Sequence, residues 1–154
     1  MEGLLQALEA SGFAAAMRGS LFLYPLANVV HILAMLVFFA AVAAMDIRVF
    51  RATTVANARA FIDRVRPVAI GAFLFQLGSG IMLLAPEASH VWMNPVFRVK
   101  LVAIAIGLGN VLILEFLIRR PGRETVGGGV RGAAALSLAA WLTTATLGRL
   151  IAYF

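Results

Sequence analysis

The sequence predicts an all-α integral membrane protein built as a four-helix bundle. Of its 154 residues, 62% are hydrophobic and 13% are charged, whereas charged residues make up about 25% of an ordinary soluble domain. The apolar residues are gathered into four long runs, which polar segments separate. The length is that of one domain, so residues 1–154 are taken as a single membrane domain with spans at 21–45, 67–85, 99–118 and 132–152.

The first apolar run, residues 21–45, contains 25 residues without a charge and ends at Asp46. At about 1.5 Å per residue, a helix of this length exceeds the roughly 20 residues that cross a bilayer core of about 30 Å. His31 lies near the middle of this run. An ionisable side chain is costly in lipid unless it faces protein or water, so His31 is the first candidate site residue.

Two polar segments flank the first span. Residues 3–10 place leucines at helical spacing, which indicates either a short helix lying in the membrane interface or a frayed terminus. Residues 46–66 form a polar connector, and its second half, ANARAFIDRVR, is predicted to be helical.

The second and third spans carry small residues that permit close helix contact. The third span has Ala103 four residues before Gly107, and Ala105 four residues before Gly109. The segment RRPGRETVGGGVR, which precedes the fourth span, is predicted to be a flexible loop. It lacks the preceding strand and the lysine that a phosphate-binding loop requires.

Basic residues are distributed unevenly between the polar segments. Of the 13 lysines and arginines, nine lie in the segments after the first and third spans, and four lie elsewhere. Because basic residues are retained on the cytoplasmic side, these two segments are predicted to be cytoplasmic. With four spans, both termini then lie on the other side, in the periplasm. The same clustering makes the lipid bilayer the expected partner and argues against nucleic acid. A second copy of the chain or a membrane-complex subunit is a further candidate partner.

Polar side chains are expected at one depth in the predicted bundle. Asn28, His31 and Met35 are spaced three and four residues apart, so they share one face of the first helix, which is predicted to point inward. Amide and hydroxyl groups at comparable depth on the other spans are Gln76, Asn110, Thr143 and Thr144. This polar layer is interpreted either as a set of interhelical hydrogen bonds, worth about 0.6–2 kcal/mol each, or as a ligand site.

A neutral imidazole in an apolar shell is also a good ligand for haem iron or copper. In that alternative His31 binds the metal, and Met35 or Met82 supplies a sulfur. A bis-histidine haem lacks its second ligand, because His90 is predicted to lie in the outer loop. No cysteine is present and no set of catalytic residues is evident, so an enzyme is not favoured.

Two basic residues lie near the predicted outer ends of the spans: Lys100 and Arg149. In one interpretation their long stems carry the charge to the lipid headgroups. In the other they form a positive site beneath the outer surface, suited to an anionic ligand or a quinone carbonyl.

Four short segments carry a family resemblance: Tyr24-Pro25 followed by His31, Asp46-Ile47-Arg48, the stretch NPVFRVK at 94–100, and Gly148-Arg149. In these segments the chain resembles an uncharacterised family of small four-helix bacterial inner-membrane proteins, itself distantly similar to the membrane domain of copper-resistance protein D. The resemblance implies a four-helix architecture and a bacterial inner-membrane location, but no activity. It also implies a role for four residues: His31, Arg98, Lys100 and Arg149. That family often has a histidine five residues after an asparagine in the third span, where this chain has Glu115.

The sequence therefore predicts a small multi-pass inner-membrane protein in which the polar layer around His31 is a candidate ligand or cofactor site. A membrane redox module that binds b-type haem or copper is the first alternative. An accessory subunit of a membrane complex is the second.

Overall fold

Helices make up nearly all of the computed structural model, which describes residues 2–153. Met1 and Phe154, the ends of the predicted domain, lie outside the described residues. Within the described part of the chain there is no strand, only an isolated bridge between Thr54 and Thr125, so the prediction of an all-α fold is confirmed. The helices are α1 (Glu2–Glu9), α2 (Gly12–Gly19), α3 (Leu23–Arg51), α4 (Val55–Leu84), α5 (Ala88–Met93), α6 (Pro95–Arg119) and α7 (Gly128–Leu150), with 3-10 turns at Ala85–Glu87 and Ile151–Tyr153.

Three helical stretches are long and apolar enough to cross a membrane. They are α3, the stretch Val55–Met93 that contains α4 and α5, and α6. The fourth long helix, α7, has 23 residues but includes Ser137 and three threonines, which lower its apolar character. Length and composition therefore support three membrane spans in the described chain.

The helices extend well beyond the apolar runs where α3 joins α4. α3 continues to Arg51 and α4 begins at Val55, so only residues 52–54 separate them. The second half of the connector 46–66 is helical, as predicted, but most of the first half is helical too. Pro67, expected to open the second span, lies inside α4. Polar residues end the membrane-embedded part of a helix and not the helix itself, because its backbone hydrogen bonds continue into water.

The central helix of the structure is α3, which packs against both α4 and α7. α6 packs against α7 on the far side. Ion pairs between side chains then join α6 to α4: Arg66 with Glu115, and Arg119 with Asp63. The long helices are thus arranged in the spatial order α4, α3, α7, α6, with charged side chains linking the two outer members.

The two connectors that the basic residues assign to the cytoplasm touch each other. The Val55 amide donates to the Glu124 carbonyl at 2.9 Å, and the Val126 amide donates to the Thr53 carbonyl at 3.2 Å. These connectors therefore share one side of the fold, as their charges predict. A buried apolar cluster fills this end of the structure, and it includes Val49, Ala58, Ile62, Ile118, Val130 and Ala134.

Aromatic rings fill the space between α3, α4 and α7. The Trp141 ring lies edge-on to Phe38, with centroids 4.6 Å apart, and its centroid is 6.2 Å from that of Phe73. Gly107 of α6 lies against the same indole, because a methyl carbon added there would be 2.9 Å from Trp141 Cζ2. Ala103 is buried as well, so α6 meets α7 through the first of the two predicted small-residue pairs.

The short helices α1, α2 and α5 pack together at the opposite end of the structure. The Ser89 hydroxyl and backbone amide face the Glu9 carboxylate, the amide donating at 3.1 Å, and they lower the pKa of Glu9 below its ordinary value of 4.5. Arg18 donates to the carbonyls of Pro86 and Glu9, at 3.0 and 3.1 Å. The N-terminal segment is therefore tied to the turn after α4. A position of α1 in the membrane interface stays a prediction.

Candidate functional site

His31 of α3 meets two polar side chains of α4, and the residues His31, Gln76 and Ser79 are called the His31 cluster. Nδ1 of His31 lies 2.9 Å from the Ser79 hydroxyl oxygen, and Nε2 lies 2.9 Å from the Gln76 amide nitrogen. The ring rests on Gly80, where an added methyl carbon would lie 3.3 Å from Cε1. The structure thus brings together two of the predicted site residues, His31 and Gln76, and adds Ser79.

The hydrogen bonds of the cluster assign the protons on the imidazole. The Ser79 hydroxyl donates to the Phe75 carbonyl at 2.6 Å, so its oxygen accepts from His31 Nδ1–H. The other ring nitrogen, Nε2, then accepts from the NH2 group of Gln76. The ring is therefore neutral with both nitrogens engaged, in one hydrogen-bonded chain that runs from α4 to α3 and back.

His31 as placed does not fit the metal-ligand alternative. A ring nitrogen that binds haem iron or copper must offer a free lone pair, but Nε2 accepts from Gln76 and Nδ1 carries a proton. Met35 and Met82 are half-buried about one turn from the cluster on α3 and α4. Among the described residues, no three His, Asp or Glu side chains form a group that could hold a metal. Interhelical hydrogen bonding is the interpretation that His31 fits.

Asn28 is exposed, so the prediction that it shares an inward face with His31 is wrong. The buried stripe of α3 includes Ala27 and Ala34. Asn28 lies one residue beyond Ala27, which is about 100° round the helix. Its spacing from His31 therefore leaves it at the edge of the buried stripe and not within it.

Asn110 forms a separate polar contact, between α6 and α7. Its side chain is 2% exposed, and its amide donates to the Ala133 carbonyl at 2.8 Å. Of the predicted threonines, Thr143 is exposed and Thr144 donates to the Ala140 carbonyl of its own helix at 2.9 Å. The predicted single polar layer is therefore divided, because α6 packs chiefly against α7 and is joined to α4 by ion pairs nearer its other end.

Asp46 is a buried polar residue that the sequence indicated only as the end of the first span. It is 1% exposed, and Ser137 of α7 lies beside it. Its Oδ2 atom has no hydrogen-bond donor among the described residues. Helical spacing could have indicated this burial. Asp46 lies four residues after Val42 and three before Val49, so it shares a face of α3 with these two buried residues.

The three candidate basic residues differ in their surroundings. Arg98 and Arg149 are exposed, and Arg149 donates to the Tyr153 hydroxyl at 3.0 Å. Lys100 is half-buried, and a methyl carbon added at Gly148 would lie 3.2 Å from its ammonium nitrogen. No carboxylate among the described side chains forms an ion pair with Lys100.

An uncompensated cation and an unpaired acceptor accompany the His31 cluster. The charge of Lys100 acts on the His31 ring. The Oε1 atom of Gln76 is buried and has no donor within the described part of the chain, and such an acceptor costs about 1–3 kcal/mol. The Lys100 ammonium is thus a donor, and the Gln76 Oε1 atom an acceptor, that can each take a further hydrogen bond.

No family model, curated protein or solved structure matches this chain. The resemblance to the four-helix inner-membrane family, and through it to copper-resistance protein D, therefore stays a prediction. Two of the segments that carry it, 94–100 and 148–149, do lie against each other through Lys100 and Gly148.

Proposed function

We propose that the chain forms a four-span bundle in a bacterial inner membrane, with both termini in the periplasm. Three spans are supported by the length and composition of α3, α4 and α6. α7 is the fourth, because its 23 residues extend about 34 Å and it packs against both α3 and α6. In this arrangement α1 lies at the outer interface.

The outer half of this bundle binds the polar headgroup of a lipid-soluble ligand between Lys100 and the His31 cluster. The observation that carries this function is the half-buried Lys100 ammonium, which lacks an ion-pair partner among the described side chains. A charge at this depth is costly unless water or a ligand atom solvates it. A bound acceptor oxygen would lower that cost.

The His31 cluster indicates what else the ligand must offer. The Gln76 amide is fixed by its hydrogen bond to His31 Nε2, so Oε1 is held in one orientation, and no described residue donates to it. A ligand that donates a hydroxyl hydrogen to Oε1 and offers an oxygen to Lys100 would satisfy both groups. A hydroquinone headgroup has both functions on one ring, and its apolar tail would lie in the bilayer.

Binding of decylubiquinol, a short-tailed hydroquinone, tests this function. We expect Lys100→Met to weaken binding about tenfold, because a hydrogen bond from a charged donor contributes about 1.5–3 kcal/mol. The matched control is Arg98→Met, which removes the same charge from an exposed position on the same helix. Quenching of tryptophan fluorescence under anaerobic conditions measures binding by the purified chain. Equal weakening in both variants, or no binding by the unaltered chain, would contradict the proposal.

A further inference from the structure

A cleft of ≈ 510 Å³ lies between the first turns of α4 and the segment 118–123, at the end of the fold that faces the cytoplasm in the proposed orientation. Its charged lining residues are four arginines and one carboxylate: Arg59, Arg119, Arg120, Arg123 and Asp63. The other described lining residues are small or apolar, so the charged residues decide what the cleft can bind.

Arg120 and Arg123 supply positive charge that no described carboxylate neutralises. Asp63 is already shared, since it lies 3.6 Å from Arg59 and 3.0 Å from Arg119. Neither Arg120 nor Arg123 forms an ion pair with any side chain that the structure describes. A guanidinium group binds the oxygens of a phosphate through two parallel hydrogen bonds, so these two side chains suit a phosphate ligand.

The segment that carries these arginines is anchored and is not the free loop that its glycines predict. The Glu124 carbonyl and the Val126 amide are both hydrogen-bonded to the connector before α4. Gly122 has a φ of 75°, which favours glycine, and it makes the turn between Arg120 and Arg123. A preformed segment lowers the entropy cost of holding the two arginines on a ligand.

The cleft fits a phospholipid headgroup better than a soluble phosphate compound. It opens at the end of α6, where that helix leaves the proposed bilayer. None of the described residues that line it is aromatic, so these residues offer no ring on which a nucleotide base could stack. Basic pockets at the cytoplasmic ends of membrane helices suit anionic headgroups. The apolar part of the lining is Val55, Ala56, Ala60, Ile118 and Pro121.

We propose that this cleft binds the phosphate of an anionic phospholipid, with the guanidinium groups of Arg120 and Arg123 as its principal donors. Charge complementarity supports the headgroup, and the apolar lining supports the glycerol and the first acyl carbons. The site rests on the proposed orientation, which brings the cleft to the inner leaflet. It is separate from the hydroquinone site, which lies at the other end of the long helices.

Thermal unfolding of the full chain in detergent tests this site, with tetraoleoyl cardiolipin as the probe. A ligand that binds only the folded chain raises its unfolding temperature. We expect the cardiolipin concentration that gives half of the maximal rise to increase about tenfold in Arg120→Gln/Arg123→Gln, which loses two basic contacts. The matched control is Arg64→Gln/Arg131→Gln, which removes the same charge from exposed positions outside the cleft. There we expect a change of less than about twofold.

An equal increase in both double variants would overturn the proposal, because it would indicate diffuse attraction between a basic face and an anionic lipid. Glycerol 3-phosphate and inorganic phosphate are tested alongside, and equal stabilisation by either would replace the lipid with a free phosphate. If the double variant does not fold, Arg120→Gln is compared with Arg64→Gln in the same way. Lys100→Met should keep the full cardiolipin response, which separates this result from the hydroquinone test.

Discussion

Both nitrogens of the His31 ring are engaged, so each hydrogen bond in the His31 cluster has a measurable effect on stability. Ser79→Ala removes the acceptor of Nδ1–H and leaves that donor unpaired on a half-buried ring. We expect the free energy of unfolding to fall by about 1 kcal/mol, the lower end of the cost of an unsatisfied donor, because the ring is half-buried. The control is Thr146→Val, because the Thr146 hydroxyl donates to the Leu142 carbonyl of its own helix. Reversible unfolding in mixed micelles measures both variants.

The assignment of the contact to the imidazole is tested in a His31→Leu background. There, Ser79→Ala should cost little, because no ring nitrogen is left to donate to the hydroxyl. The same loss with and without the imidazole would mean that Ser79 acts only through its bond to the Phe75 carbonyl. The proton assignment on His31 would then be wrong.

Among the buried polar side chains, the sequence predicted His31 and Gln76 but neither Ser79 nor Asp46. An imidazole or an amide in an apolar run needs a partner, and that need is visible in the sequence. A serine in a helix can donate its hydroxyl hydrogen to a backbone carbonyl one turn earlier, as Ser79 does to Phe75. It therefore needs no partner on another helix, and the sequence does not indicate that it has one. Which residue of α4 faces His31 depends on the register of two helices, and no sequence pattern specifies that register.

The contact between α6 and α7 depends on the missing side chain of Gly107. Gly107→Ala would place a carbon 2.9 Å from Trp141 Cζ2, closer than carbon atoms pack. We expect overpacking to lower the free energy of unfolding by about 1–3 kcal/mol. Gly109→Ala is the matched control, because no atom of the described residues lies within 4 Å of its added carbon, and the higher helix propensity of alanine predicts a gain of up to about 1 kcal/mol. Equal destabilisation of the two variants in thermal unfolding would contradict this packing.

The sequence predicted both small-residue pairs of α6 as contact surfaces, but only one is buried. Ala103 and Gly107 are buried, whereas Ala105 and Gly109 are exposed. The two pairs lie about 200° apart round the helix, so α7 can cover only one of them. Hydrophobicity does not distinguish the pairs, because a side chain that faces lipid is as apolar as one that faces protein.

The N-terminal helices should be sensitive to acid through Glu9. Its lowered pKa means that the folded chain favours the carboxylate more than the unfolded chain does. The stabilisation is therefore complete above the unfolded pKa and is lost as the pH falls through the lower, folded pKa. Hydrogen exchange of α1, corrected for the intrinsic pH dependence of exchange, measures this loss.

We expect Glu9→Gln to remove the acid-dependent step in the exchange of α1. Glu87→Gln is the control, because Glu87 is an exposed carboxylate in the neighbouring 3-10 turn, and the step should persist in that variant. Exchange of α1 that does not change with pH in the unaltered chain would contradict the role of Glu9.

The apolar runs of the sequence predict the long helices but not their arrangement. Each of the four runs lies within one long helix or at its end, in α3, α4, α6 and α7. The spatial order α4, α3, α7, α6 depends on fitted side chains, such as Trp141 against Phe38 and Gly107. Shape complementarity of this kind arises only when the helices meet, so composition and periodicity do not contain it.

Whether α7 crosses the membrane decides on which side the C-terminal end of the chain lies. The basic segment 119–131 is predicted to stay in the cytoplasm, which leaves the C-terminus in the periplasm if α7 is a span. A reporter enzyme that is active only in the periplasm should therefore be inactive when inserted at Gly127 and active when fused to the C-terminus. Insertion at Thr53 is the control, because the two connectors are hydrogen-bonded and must report the same side. Equal activity at Gly127 and the C-terminus would exclude α7 as a span, and the reversed pattern would mean four spans in the opposite orientation.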